Sequence, residues 1–137
     1  MRLEGGCYCK SVRYVAEGEP FLKAQCHCRE CQYISGGAPN MFIAMPVQSF
    51  SYSKGDPKAF KRSDLQHPVT REFCPECGTH LVTRLPEGGP PMIVVKVGTL
   101  DDPAAMYGRP DLAIYTIDKQ AFHEVPAGLP TFERLPQ

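Results

Sequence analysis

"EFCPECGTHL", residues 72–81, is the stretch on which the reading of this chain turns. An alternating run, "VTREF", enters Cys74-Pro75-Glu76-Cys77, and Gly78 separates that loop from a second alternating run, "HLVTRL". Pro75 stiffens the approach and Gly78 permits the turn after the second sulfur, as a zinc knuckle requires. Structural zinc takes four thiolate or imidazole ligands in a tetrahedron, commonly as two local pairs brought together by the fold. Cys7-x-Cys9 supplies the matching pair near the start of the chain. Together Cys7, Cys9, Cys74 and Cys77 would make a closed site that clamps the N-terminal turn to a distant strand-loop. The bland competitor is a set of buried free cysteines packing as small hydrophobes. Another partition, with Cys7 and Cys9 joining Cys26 and Cys28, stays open on spacing alone.

That arithmetic leaves "QCHCRECQ", residues 25–32, with Cys26, Cys28 and Cys31 and no fourth sulfur. Three protein ligands with a free position distinguish catalytic zinc from structural zinc. The competing readings are a structural site closed by a histidine and a metal-free redox pair at Cys28 and Cys31. In an extended Cys-His-Cys segment His27 points away from both neighbours, so it reads as a core or supporting group. His80, three residues after Cys77, opens an alternating run and reads as structural or exposed. His67 and His123 read as bland. Gly36-Gly37-Ala38-Pro39 offers a backbone approach to a carboxylate, but a plain turn is the commoner use of such a run.

The rest of the chain says what carries these clusters. Strand-like runs, "SVRYVA", "NMFIAMP", "SFSYS", "VTREF", "HLVTRL", "MIVVKVGTL" and "LAIYTI", lie between breakers, with 14 Pro and 12 Gly in 137 residues. In "VTREF", Val69, Arg71 and Phe73 share one face and Thr70 and Glu72 the other, the period of a half-buried strand. A mainly antiparallel β fold follows, with at most short helices at "CRECQYI" after Cys28 and at "DDPAAMYG", where Asp precedes an early Pro. The Pro-rich end, "EVPAGLPTFERLPQ", is expected to run extended and to pack Leu129, Phe132 and Leu135 on the sheet. No linker marks a boundary, so residues 1–137 read as one domain, long enough to bury about two-thirds of its surface.

Fifteen basic residues balance fifteen acidic ones, which argues against a nucleic-acid or anionic membrane partner. No run approaches the roughly 18 apolar residues of a membrane span, and the first residues lack a signal-peptide core. A cytoplasmic, soluble protein is expected, where thiols stay reduced; seven cysteines, an odd number, also disfavour a disulfide framework.

In order, "GGCYCKSVRY", "CHCRECQ" with "SGGAP", "FCPECGTHL", "VKVGTLDDP" and "VPAGLPTFERLP" resemble the glutathione-dependent formaldehyde-activating (Gfa) or CENP-V domain family, from about Gly5 to Pro136. The resemblance implies an Mss4-like β fold. It also implies structural zinc at Cys7, Cys9, Cys74 and Cys77, and catalytic zinc, open or labile, at Cys26, Cys28 and Cys31. The implied activity is that of a carbon–sulfur lyase joining formaldehyde to glutathione as S-(hydroxymethyl)glutathione. Two places depart from the family pattern: Gln32 stands where Arg commonly follows the triplet, and Ala113-Ile114-Tyr115 stands for a His-Ile-Trp-like segment. Losing a cation there weakens the expected hold on a carboxylate.

The expected function is thus a zinc-dependent, carbon–sulfur lyase-like enzyme acting on the aldehyde adduct of a small thiol, glutathione by the resemblance. With two zinc ions bound, the triplet's thiolates would favour thiol binding over water activation. A non-catalytic zinc scaffold that binds a protein is the rival from another class. A homodimer stays open.

Overall fold

The computed structural model describes residues 1–136. Ten short strands, β1 (Arg2–Gly6), β2 (Arg13–Glu17), β3 (Leu22–Cys26), β4 (Asn40–Pro46), β5 (Phe50–Lys54), β6 (Lys58–Phe60), β7 (Thr70–Phe73), β8 (His80–Arg84), β9 (Met92–Lys96) and β10 (Leu112–Ile114), form two sheets. The smaller runs β1-β2-β5 and the larger β10-β3-β4-β9-β8-β7-β6. All pairings are antiparallel except β10 on β3, which is parallel. The fold is therefore mainly β, as the alternating runs predict. Among the described residues only two short α-helices interrupt it, α1 (Arg29–Ile34) and α2 (Pro103–Met106).

Pairing register assigns each face of the large sheet. Ile43 and Val82 both lie opposite Val95, and Met45 opposite Ile93. These side chains point to one face and meet Leu3, Tyr14, Ala16 and Phe50 of the small sheet in a single buried cluster. Residues one step out of phase point the other way. Ala24 and Lys96 both pair with Phe42, Ile114 and Asn40 with Cys26, and Thr83 with Arg71 and Val94. That second face carries a smaller cluster in which Ala24, Cys26, Phe42, Ala44 and Ile114 pack with Cys31.

Both helices are capped, α2 as its Asp-Pro sequence suggests. Asp102 accepts the Ala105 N–H at 3.1 Å, and Pro103 occupies the first turn. Cys28 caps α1 with its sulfur, which accepts the Cys31 N–H at 3.2 Å.

After β10 the chain adds a further edge. Ala113 N–H donates to the Pro130 carbonyl and Phe132 N–H to that of Ala113, so the segment around Thr131 lies parallel to β10. Leu129 is buried and Phe132 packs on the Cys26 cluster as expected. Leu135 does not: it is 57% exposed, because the edge pairing ends before it. Among the described residues no helix is long and apolar enough to cross a membrane.

Candidate functional site

The seven cysteines are all free and gather into the two groups expected from spacing, Cys7, Cys9, Cys74 and Cys77 in one and Cys26, Cys28 and Cys31 in the other. Within each group the sulfurs lie within 4.8 Å of one another, close enough to hold a metal ion. The alternative partition, with Cys7 and Cys9 beside Cys26 and Cys28, is not the one found.

Two matched turns build the four-cysteine group. Lys10 N–H returns to the Cys7 carbonyl at 3.1 Å, with Lys10 in the left-handed region at φ 68°. Gly78 N–H returns to the Cys74 carbonyl at 2.9 Å at φ 77°, a conformation glycine adopts without steric cost. Cys7 and Cys9 sulfurs are 3.6 Å apart, and those of Cys9 and Cys74 3.8 Å. A tetrahedron of thiolates about 2.3 Å from its centre has edges of about 3.8 Å, so the donor set fits zinc. Backbone N–H groups of Val12 and Glu76 point at the sulfurs of Cys7 and Cys74. Burial pushes the Cys7 thiol up, but the Val12 N–H and neighbouring hydrogen bonds prevail and bring it down to about 7. Ser11, a residue that spacing could not single out, places its hydroxyl 3.0 Å from the Cys9 sulfur and 3.3 Å from that of Cys74.

The triplet joins two elements. Cys26 ends β3 on the second face of the sheet, while Cys28 and Cys31 open α1. Cys26 and Cys31 are buried and Cys28 is half-buried. The Cys28 thiol is lowered to about 3, first by hydrogen bonding from Cys26, then from Cys31 and the Cys31 N–H, against burial. Cys26 is raised, because hydrogen bonds to Cys28 and Cys31 favour its thiol and burial adds to them. Cys31 is raised to about 12: donation from Cys26 would lower it, but its bond to Cys28 and its burial outweigh that. The Cys28 thiol points at the Cys31 sulfur at 2.9 Å, shorter than an edge of a zinc tetrahedron.

Around the triplet His27 takes the core place expected of it, whereas His123 departs from its bland reading. His27 is fully buried, and His123, expected to be bland, is 4% exposed with its Nδ1 3.0 Å from His27 Nδ1. Gln25 Nε2 donates to His27 Nε2, and His123 Nε2 donates to the Gly37 carbonyl. Gly37 N–H is engaged by the Gln32 carbonyl at 2.7 Å, so this glycine closes α1 instead of presenting its N–H to an anion. Gln32, where the family pattern has Arg, is buried and donates to the carbonyls of His27 and Asp118. Tyr115 stands in the left-handed region, φ 55°, with its ring against the triplet's cluster. His67 is exposed as expected.

Two clefts of about 380 and 370 Å³ border α1 and share Ile34 and His80. No cysteine lines either one, but Asn40, which lines the second, lies directly opposite Cys26 on the neighbouring strand. That pairing puts the two side chains on the same face, about 5 Å apart at Cβ.

The family model for glutathione-dependent formaldehyde-activating enzymes matches residues 2–118. The chain belongs to that family. Membership supports a glutathione-related, aldehyde-activating or lyase-like function. A crystal structure of a Rhodobacter sphaeroides protein superposes with a TM-score of 0.57 at 17% identity, covering 74% of this chain and 88% of that one. At that identity the likeness speaks for the fold alone. Comparison with curated proteins gives no match.

Proposed function

We propose that this protein is a zinc-dependent, carbon–sulfur lyase-like enzyme that joins an aldehyde to a small thiol, formaldehyde and glutathione being the pair suggested by its family. In this reading the whole chain acts as one domain. Cys7, Cys9, Cys74 and Cys77 hold a structural zinc, and Cys26, Cys28 and Cys31 hold the catalytic one. The observation that carries the proposal is the unequal ligand count, four sulfurs in one group and three in the other, with a half-buried sulfur, Cys28, among the three.

Zinc bound by three thiolates would supply a mild Lewis acid with one position for a thiol, whose pKa it would lower. The chain's own residues do the rest. Cys26, from the strand, and Cys28 and Cys31, from the helix start, converge only while α1 is pinned in place. Gln32 pins it, through its bonds to the carbonyls of His27 and Asp118. The Cys31 N–H stabilises negative charge on the Cys28 sulfur. In the reaction the thiolate sulfur attacks the aldehyde carbon and forms the C–S bond. The carbonyl oxygen takes up the proton the thiol gave, leaving a hydroxymethyl thioether, and the reverse step breaks the same bond.

The test is the exchange rate between formaldehyde, glutathione and their adduct, followed by magnetisation-transfer NMR. The purified protein should accelerate exchange above the uncatalysed rate, and Cys28→Ser should abolish the acceleration while keeping the fold. Acceleration that survives Cys28→Ser would defeat the proposal.

A further inference from the structure

Lys96 is the least expected charge in the molecule. It ends β9, is 8% exposed, and lies on the sheet face that carries Cys26. Its ammonium has three N–H donors, and among the described residues one of them is used, toward Thr83 Oγ1 at 2.8 Å. The same hydroxyl oxygen accepts from Arg71 Nη1 at 3.3 Å, so two cations converge on one neutral acceptor. Arg71 has Glu30 for a partner, at 2.8 Å; among the described residues Lys96 has no carboxylate, and the nearby anionic groups are the sulfurs of Cys31, Cys26 and Cys28. Burying a charge this way is costly unless something anionic completes it.

Lys96, Asn40 and His80 line the same cleft, and among the described residues none of its lining side chains is acidic. His80 contributes a second orphan, since its Nδ1 is buried without a hydrogen-bond partner. Burial lowers the pKa of its ring, and a proton on Nδ1 would make this atom a donor. Asn40 joins this cleft to Cys26 directly across the strand pair. An anionic group on Lys96 would therefore sit beside the triplet and not at a remote surface.

We propose that the cleft floored by Lys96, with Asn40 and His80, is a carboxylate-binding subsite, and that the thiol taken at Cys26, Cys28 and Cys31 carries a carboxylate seated there. The inference rests on the thiol reading of the triplet and supplies, from β9, the cation that Gln32 lacks. It narrows the substrate class to acidic thiols and excludes neutral or basic ones of the same size.

Calorimetric titration of the purified protein with three probes separates the two readings. Glutathione carries both thiol and carboxylates, S-methylglutathione the carboxylates without a free thiol, and glutathione diethyl ester the thiol without carboxylates. Lys96→Met, close in length and shape, should weaken glutathione and S-methylglutathione by about tenfold or more, the loss of a charge-assisted hydrogen bond, and leave the diester unchanged. His80→Phe should act in the same direction with a smaller effect. Cys28→Ser should weaken glutathione and the diester but not S-methylglutathione; failure of that pattern alone would strike the thiol reading and spare the subsite. Absence of saturable S-methylglutathione binding to the unmodified protein would overturn the subsite, whatever the variants do. So would S-methylglutathione affinity that is unchanged in Lys96→Met. Equal weakening of the diester by Lys96→Met would also overturn it, by showing that the lysine only balances the charge of the triplet.

Discussion

At the scale of single residues, the paired imidazoles under the triplet have a determinable proton arrangement. His123 Nδ1 accepts the Gln120 N–H at 3.1 Å, so its proton sits on Nε2, where it bonds to the Gly37 carbonyl. His27 must then donate from Nδ1 to His123, which leaves its Nε2 to accept from Gln25, whose amide also donates to the Glu124 carbonyl. The His123 Nδ1 lone pair is thus shared between the Gln120 N–H and the His27 ring. His123→Ala should therefore cost about 2–4 kcal/mol in urea denaturation, because the His27 Nδ1–H and the Gly37 carbonyl lose partners inside the protein. An unchanged midpoint would show that the chain tolerates the broken network. Beyond the core place of His27, this network was not legible in the sequence: Gln25 and His27 are 96 residues or more from their partners Glu124 and His123, and polar residue types carry little sign of burial. The cysteines were legible because their chemistry is local, two and three residues apart. Tyr14 supplies a test in alkali. Burial raises it to about 12 against the Thr99 hydrogen bond, whereas an unfolded tyrosine ionises near 10. Between those values the unfolded chain binds fewer protons, so stability falls as pH rises. Tyr14→Phe should lose less stability than the parent between pH 9.5 and 11.5, and parallel losses would refute the assignment.

At the scale of elements, the strands that alternation revealed are those with one apolar and one polar face. "NMFIAMP" became β4 over its full length, and "VTREF" became β7, with a bulge between Glu72 and Phe73 that shifts its last pairing. β1 and β3 carry no such pattern. In β1 Leu3 alone is a large apolar residue, and Gly5 and Gly6 are buried because a side chain would collide: a Cβ on Gly5 would lie 2.3 Å from the Thr99 carbonyl oxygen. In β3 Gln25 is buried by its hydrogen bonds, so the segment reads as polar. The turn after β5 is the sharpest constraint next to the four-cysteine group. Gly55 sits at φ 73°, and a Cβ there would lie 2.1 Å from the Ser11 carbonyl oxygen. Gly55→Ala should destabilise by about 2–4 kcal/mol, combining the left-handed backbone with a backbone clash. Because Ser11 touches three of the four sulfurs, the variant should also release metal from that group more readily to a chelator. Unaltered stability and metal release would mean that the turn can slide away.

At the scale of the whole molecule, one large sheet serves two tasks. Its first face makes the core with the small sheet, and its second carries Cys26, Lys96, Thr83 and Arg71, of which Lys96 and Arg71 line the clefts beside α1. The segment after residue 118 lies outside the family match, yet it carries His123, Leu129 and the pairing partners of β10. A chain ended at residue 118 should unfold at markedly lower urea than the full chain, or fail to fold. An equal midpoint would make the segment an ornament. The sequence reading anticipated that this end is extended, but not that it locks the strand behind the triplet, since a Pro-rich run shows no period that names its neighbour. The proposed function depends most on the two cysteine groups holding metal independently and unequally. Elemental analysis of protein purified under reducing conditions without chelator, compared with Cys28→Ser, tests that most directly. Two zinc ions per chain falling to one, with the fold retained, is the predicted result; one zinc per chain in both proteins would contradict it.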